Sequence, residues 1–200
     1  QKPINMGTKV NSRSWDSQPS LSADGRILFF SSNRKGGFGG NDIWVTHLGT
    51  DGKWSEPENL GPEINTSGDE SCPFIHADNQ SLYFTSNGLQ GYGGDDLFMA
   101  RKGPKGSFSL PRNLGYPINT IENEGSLVIT ADGSTAYYAS DRADSKGGLD
   151  LYTFTMRNDV RPVKTLWIKG RVMDEKTKDG LPSAVELTDI LTRQMISKVQ

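Results

Sequence analysis

One segment of this chain occurs three times, and the interval between its copies never changes. Each copy ends in a Gly-rich loop, an aspartate and, two positions later, an aromatic residue. The copies are residues 31–44, 85–98 and 139–152. Their aspartates, Asp42, Asp96 and Asp150, follow one another at intervals of 54 residues. A constant period of this length predicts a chain of structurally equivalent repeats.

Each repeat is predicted to form four short strands joined by tight turns. In the first repeat we expect strands at 18–23, 27–31 and 42–48, and an interrupted fourth strand that includes Trp54 and residues 57–60. The second strand is apolar and aromatic, as buried strands often are. Asp-Gly pairs lie in the turns, where glycine adopts a positive φ at low cost. The 23 glycines and 10 prolines among the 200 residues also favour many turns over long helices.

These features predict an all-β fold, a partial β-propeller made of four-stranded antiparallel blades. The three blades are expected at residues 15–68, 69–122 and 123–165. Three blades do not close a ring, because propellers typically have about 4–8. We therefore expect the missing blades to lie upstream, in a longer chain of which this sequence is a piece.

The blades resemble those of the TolB-like, WD-repeat-like β-propeller family. The shared pattern is Pro-x-[Leu/Phe]-x-x-Asp-Gly, an aromatic strand, Ser-[Asp/Asn]-Arg, a Gly-rich loop and Asp-[Ile/Leu]-aromatic, over residues 15–154. Three positions depart from it, since Asn79 replaces glycine, Gly88 replaces arginine and Leu127 replaces proline. The resemblance implies a ring of six blades.

Residues 1–12 are predicted to be the outer strand of a preceding blade. Their Asn5-Met6-Gly7 matches 59–61 and 113–115 of the later repeats. The third repeat has no such segment after its third strand. We therefore hypothesise that an outer strand with a sequence like Pro3–Asn11 completes the last blade and closes the ring.

Residues 166–200 differ from the repeats and are predicted to begin a second domain. Residues 168–174 alternate like a strand, 178–182 resemble a turn and 184–187 a second strand, and a short helix at 187–196 is the alternative. The segment resembles the opening, about half, of a carboxypeptidase-regulatory-like β-sandwich. The matching positions are Gly170, Val172, Asp174, Thr177, Leu181, Pro182, Ala184 and Leu187.

A propeller followed by such a sandwich resembles OmpA-family cell-envelope proteins of the PorE type, which belong to type IX secretion. The resemblance implies a periplasmic or outer-membrane-associated location and a protein partner in the cell envelope. Peptidoglycan binding would belong to an OmpA-like domain that is not among these residues.

Composition and charge limit the function classes. The net charge is −2 with both signs mixed, so no nucleic-acid partner is expected. No apolar run approaches the roughly 20 residues of a membrane span. Cys72 is the single cysteine and forms no internal disulfide. Its register partners are Gln18 and Ser126, which favours an ordinary strand residue over a reactive thiol.

No catalytic residue, cofactor or metal site is predicted, and we expect no enzyme. A nucleophile needs a base and a group that orients the base, but His47 and His76 occupy distant blade positions. Asn41-Asp42 and Asp95-Asp96 leave calcium open as an alternative. Recurrence of the aspartate at one register instead favours a structural role, in which it accepts backbone N–H bonds from the loop.

A protein-binding surface is predicted where the loops between second and third strands meet the links between blades. Exposed aromatic residues mixed with arginine are typical of interaction sites. The candidate residues are Trp15, Asp16, Arg34, Phe38, Glu70, Tyr92, Glu124 and Arg142. The sequence therefore favours a non-enzymatic scaffold of the cell envelope, and the alternatives are a propeller accessory to a peptidase and a calcium- or glycan-binding module.

Overall fold

The structure is a computed structural model that describes residues 2–104, 106–165, 170–188, 190, 193 and 195–199. The chain divides into two compact units, Gln1–Leu166 and Trp167–Gln200. All regular secondary structure elements among the described residues are β-strands. No described segment is a helix of the length and apolar character needed to cross a membrane.

The first unit contains three antiparallel sheets that repeat one topology. The first sheet comprises β1 (Asp16–Leu21), β2 (Ile27–Ser32), β3 (Asp42–His47) and β4 (Glu58–Asn59), in that order. The second comprises β5 (Glu70–Ile75), β6 (Ser81–Ser86), β7 (Asp96–Arg101) and β8 (Arg112–Asn113). The third has β9 (Glu124–Ile129), β10 (Thr135–Ser140) and β11 (Asp150–Thr155). The predicted all-β partial propeller is confirmed.

The cores lie between neighbouring sheets, because both faces of the middle strands are apolar. One cluster joins Phe29 and Ile43 of the first blade to Leu82 and Phe84 of the second. Another joins Tyr83, Leu97 and Met99 of the second blade to apolar residues of β9 and β10. The second blade therefore buries one face against the first blade and the other against the third.

Glycines allow the loop of one blade to approach the link of the next. A Cβ atom on Gly39 would lie 2.1 Å from the carbonyl oxygen of Gly68, and one on Gly93 would lie 2.4 Å from the carbonyl carbon of Ile121. No side chain fits at such distances, so the Gly-rich loops are required by packing between blades.

A bulge in the first strand of each blade was not predicted from the sequence. Gln18, Cys72 and Ser126 all have a φ between 50° and 54°, where the pairing with the second strand shifts register. The backbone N–H of Cys72 donates to Oε1 of Gln18 at 2.9 Å, and its Sγ lies 3.8 Å from Oγ of Ser126. The bulges thus link successive blades through one register position.

Residues 1–12 are predicted to be the outer strand of a preceding blade, and residues 2–12 contain a turn and no strand. No such blade is among the described residues, so the assignment stays a prediction. The segment nevertheless has the local geometry of the later links. Gly7 and Gly61 have φ values of 82° and 87°, and each donates its N–H to the Asn side chain two residues before it. A strand requires a paired neighbour, and no described strand lies beside this segment, nor does it pair with β11.

The second unit contains a hairpin of β12 (Val185–Thr188) and β13 (Met195–Val199). A bridge also pairs Met173 with Gly180. Of the predicted strand at 168–174, residues 168 and 169 lie outside the described residues and 170–174 contribute only this bridge. The alternative helix at 187–196 is wrong in its described part, because β12 and β13 occupy its two ends. The β-sandwich assignment stays a prediction.

Candidate functional site

The residues predicted to form an interaction surface separate into exposed aromatic residues and largely buried charged residues. Trp15, Phe38 and Tyr92 are exposed, and the last two occupy the same position in successive loops. The exposed fraction is 50% for Phe38 and 54% for Tyr92. Large aromatic side chains with half of their area in water are candidates for contact with another protein.

A buried carboxylate holds each of these two loops. The N–H of Phe38 donates to Oδ2 of Asp42 at 2.6 Å, and that of Tyr92 donates to Oδ2 of Asp96 at 2.5 Å. Nδ2 of Asn59 donates to the same oxygen of Asp42 at 3.1 Å. The aspartates therefore connect the aromatic loop residues to the outer strands, which restrains the backbone at both aromatic positions.

Asp150 has only part of this arrangement. Its Oδ2 accepts the N–H of Lys146 at 2.8 Å, at the position of Phe38 and Tyr92 in the earlier loops. The third sheet has no described fourth strand to supply the asparagine, and Asp150 is partly exposed. The three aspartates thus share one role in the loop but differ in their surroundings.

Glu70 and Glu124 must be removed from the predicted surface, because both side chains are buried. Glu70 accepts hydrogen bonds from Oγ of Ser86 at 2.6 Å and from the N–H of Thr66 at 2.7 Å. Glu124 makes the equivalent contacts with Ser140 and Thr120. Burial raises the pKa of Glu70 above its ordinary value, and the hydrogen bonds only partly offset that effect.

The two predicted arginines also face inward. Arg34 forms an ion pair with Asp16 at 2.5 Å, and its guanidinium lies 5.3 Å from the ring centre of Trp44. Arg142 lies 3.9 Å from Glu124, and 4.8 Å from the ring centre of Tyr152. These charged groups join strands and aromatic rings within blades, so their direct contribution is to the fold.

Exposed residues that sequence reasoning did not select lie near Tyr92. Tyr116 and Ile121 are strongly exposed. The hydroxyl of Tyr92 lies 4.0 Å from the place of a Cβ on Gly115, and Gly93 packs against the backbone of Ile121. The link that contains them recurs in the repeat, but Pro62 and Ser67 occupy their positions in the preceding link, so the repeat gives no signal for an apolar residue there. Contact between adjacent loops is the feature that brings them to Tyr92.

The histidines do not form a catalytic arrangement with a described nucleophile. His76 is buried, and its Nε2 lies 3.1 Å from the carbonyl oxygen of Thr130. Burial raises the pKa of Asp78, but hydrogen bonds from His76, Gln80 and Ser81 more than offset this and lower it. His47 is exposed and lines a cavity of about 340 Å³ between the first two blades. Within the described ranges no three metal-ligating side chains converge.

The sheets and their loops define part of a β-propeller. Among solved structures, the chain is similar to TolB from Acinetobacter baumannii, with 18% sequence identity, a TM-score of 0.53 and coverage of 80% of this chain. The aligned region spans 34% of that TolB chain. A puromycin hydrolase S511A mutant complexed with PGG aligns over 90% of this chain and 32% of its own, with 12% identity and a TM-score of only 0.36. No protein-family model and no curated protein matches the chain.

Proposed function

We propose that this chain is a non-enzymatic protein-interaction scaffold of the bacterial cell envelope. It would be the propeller part of an OmpA-family or secretion-system-associated protein, located in the periplasm or at the outer membrane. The resemblance of the repeats and of residues 166–200 to such proteins supports the location. The TolB-like fold supports a role in binding, because propellers hold their loops on a rigid frame.

The observation that carries this proposal is the exposure of Phe38 and Tyr92 on loops whose backbone is held by buried aspartates. An aromatic side chain has few rotatable bonds, so it loses little conformational entropy when a partner covers it. A loop that is already ordered reduces the entropic cost of binding further. Two such side chains occupy equivalent loop positions on neighbouring blades, and Tyr116 and Ile121 lie beside the second. Exposed apolar groups on ordered loops suit a folded protein partner.

Site-specific photo-crosslinking tests the proposal. A photoreactive phenylalanine analogue replaces Phe38 or Tyr92 in the full chain, which is then irradiated with the envelope fraction of the source organism. The expected result is one crosslinked envelope protein common to both positions. Leu21 provides the matched control, because it is equally exposed and apolar but lies at the other end of its strand.

Binding to the purified partner then measures the contribution of the aromatic surface. The double substitution Phe38→Ser and Tyr92→Ser should weaken binding at least tenfold, because exposed aromatic residues dominate many interfaces. Its thermal unfolding should match the original chain. The proposal is wrong if positions 38 and 92 give the same crosslinks as position 21, or if the folded double variant binds the partner with unchanged affinity.

A further inference from the structure

A cavity of about 340 Å³ lies between the first and second blades. Its apolar wall includes Phe29, Val45 and Ile64, and Phe108 of the second blade packs edge-on against Phe29 with 6.1 Å between ring centres. Both sheets that flank the cavity have four strands, so it lies within the repeat. Its volume is in the range of about 300–1,000 Å³ that is typical of ligand sites.

The equivalent space between the second and third blades is filled by a valine. Val160 has no exposed surface and belongs to the buried cluster that contains Tyr83 and Met99. The equivalents of those two residues, 54 positions earlier, line the cavity. The second blade has Gly106 at the position of Val160, and glycine contributes no side chain. The cavity is therefore the space that Val160 fills between the next two blades.

Polar groups of the second blade hold the segment around Val160. The hydroxyl of Tyr83 donates to the carbonyl oxygen of Val160 at 2.6 Å. Arg112 forms an ion pair with Asp159 at 2.8 Å, and Arg101 donates to the carbonyl oxygen of the residue after Val160. This arrangement shows how two adjacent blades can hold an aliphatic side chain together with the charged residue that precedes it.

The cavity between the first two blades has the opposite charge at the equivalent position. Glu58 replaces Arg112 there, and Glu63 also lines the cavity. Lys102 lines it from the second blade, so the described lining has two carboxylates and one ammonium group. A ligand that carries a cation beside its aliphatic group is therefore complementary to the first-blade side of the cavity.

The hydrogen-bonding groups are conserved only in part between the two positions. His47 replaces Arg101, and an N–H of its ring can donate to a ligand carbonyl oxygen. Phe29 replaces Tyr83 and has no hydroxyl to donate. A bound segment would thus form fewer hydrogen bonds than the segment around Val160 does, and we expect its binding to be weak and reversible.

We propose that this cavity binds an extended segment of a partner protein in which a basic residue directly precedes a small aliphatic residue such as valine. The aliphatic side chain fills the space that Gly106 leaves, and its burial supplies most of the affinity. The basic side chain pairs with Glu58, which selects against acidic segments. His47 lies at the opposite end of β3 from the Phe38 loop, so this site is separate from the surface proposed above.

Titration followed by NMR tests the chemistry of the ligand. The probe is the capped peptide Gly-Asn-Arg-Val-Gly-Pro, added to the isotope-labelled chain from about 0.01 to about 3 mM. Chemical shift changes are expected at the amides of Val45, His47 and Ser107, which line the cavity. The acidic peptide Gly-Asn-Asp-Val-Gly-Pro should bind at least threefold more weakly, because exposed ion pairs contribute little. Gly-Asn-Arg-Gly-Gly-Pro should bind at least tenfold more weakly, because it has no aliphatic side chain to bury.

Charge reversal at Glu58 gives the second test. Glu58→Arg introduces the charge found at the equivalent position of the second blade, so the acidic peptide should become the tighter ligand. Glu56→Arg is the matched control, because Glu56 is exposed on the same segment but does not line the cavity. The control should leave the order of the peptides unchanged, and both variants should unfold at the temperature of the original chain.

The proposal is wrong if the basic peptide causes no shift at the highest concentration, or if the original chain binds the basic and acidic peptides equally. It is also wrong if Glu58→Arg leaves the order of the peptides unchanged. Shifts of the lining amides that appear when the chain alone is concentrated would identify a second copy as the occupant and overturn the assignment to a partner protein.

Discussion

The Oγ atom of Ser86 lies 2.6 Å from Oε1 of Glu70, in a buried network that no described arginine joins. The same network in the third blade has Arg142 3.9 Å from Glu124. Gly88 occupies the arginine position of the second blade, so one glutamate of this equivalent pair is buried without a nearby cation. The two glutamates therefore allow a buried carboxylate that has a nearby arginine to be compared with one that has none.

We expect Glu70→Gln to be better tolerated than Glu124→Gln at neutral pH. The amide of glutamine keeps most of the hydrogen bonds of Glu70 and removes a charge that burial disfavours. Glu124→Gln instead leaves Arg142 without its carboxylate, so its free energy of unfolding should fall about 1–2 kcal/mol further. Urea denaturation of both variants and of the original chain measures the difference. Equal losses in the two variants would contradict this reading of the networks.

The advantage of Glu70→Gln should depend on pH. Because the pKa of Glu70 is raised above 4.5 in the folded state, folding favours the protonated form. The stability that this group contributes is present below pH 4.5 and is lost as the pH rises through the folded pKa. The free energy of unfolding of Glu70→Gln, relative to the original chain, should therefore increase from pH 4 to pH 8. A difference that is constant over this range would disprove the raised pKa.

Three glycines at one register should respond differently to alanine. Gly93→Ala places a Cβ 2.4 Å from the backbone of Ile121, so we expect a loss of about 1–3 kcal/mol from overpacking. Gly39→Ala should cause a similar loss, because its Cβ would overlap the backbone of Gly68. Gly147 has no atom within 4 Å of the added Cβ and no positive φ, so Gly147→Ala should be near neutral. Thermal unfolding at low concentration checks the order, and an equal loss in all three would show that packing between blades is not the cause.

Two asparagines at equivalent positions should differ in how much stability is lost when each is replaced by alanine. Asn113 bonds to the carboxylate of Asp96 at 2.9 Å, to the N–H of Gly115 at 2.7 Å and to Asn119 at 2.8 Å. Asn113→Ala should therefore cost about 2 kcal/mol, since buried partners lose their bonds. Asn5 has no carboxylate partner among the described residues and is exposed, so Asn5→Ala should cost less than about 1 kcal/mol. Chemical denaturation of both variants measures the contrast, and a cost for Asn5→Ala as large as that for Asn113→Ala would contradict it.

The turn between β9 and β10 should show a low carboxyl pKa. Hydrogen bonds from Oγ1 of Thr130 and from the N–H and Oγ of Ser134 lower the pKa of Asp132 from 3.8 to about 2. Its stabilising effect is present above pH 3.8 and is lost as the pH falls through the folded value. Titration by NMR should give that low value directly, and the difference in melting temperature between the original chain and Asp132→Asn should shrink as the pH falls. An ordinary carboxyl pKa for Asp132 would refute the turn geometry.

The repeat made most of the fold predictable. A period without insertions placed the middle strands, and the observed β2 and β3 differ from the expected strands by a single residue at their ends. The bulge at Gln18 was not predictable, because its sequence reads as a regular strand and the positive φ arises from pairing with β2 and contact with Cys72. The candidate surface was predicted only in part. Phe38 and Tyr92 are exposed as expected, but Glu70 is buried, which a charged residue at the start of a strand does not indicate from its sequence.

Local interactions along the chain were enough to specify strands, turns and the antiparallel order within each blade, because these depend on residues close in sequence. The burial of a side chain depends on whether another blade packs against its face of the sheet. Residues at equivalent positions of the repeat have similar sequence surroundings but can face different neighbours. Ile43 is covered by the second blade and Leu151 by no described residue, although both follow the same aspartate. The assignment of each polar or apolar side chain to core or surface therefore came from the packing of one blade against the next.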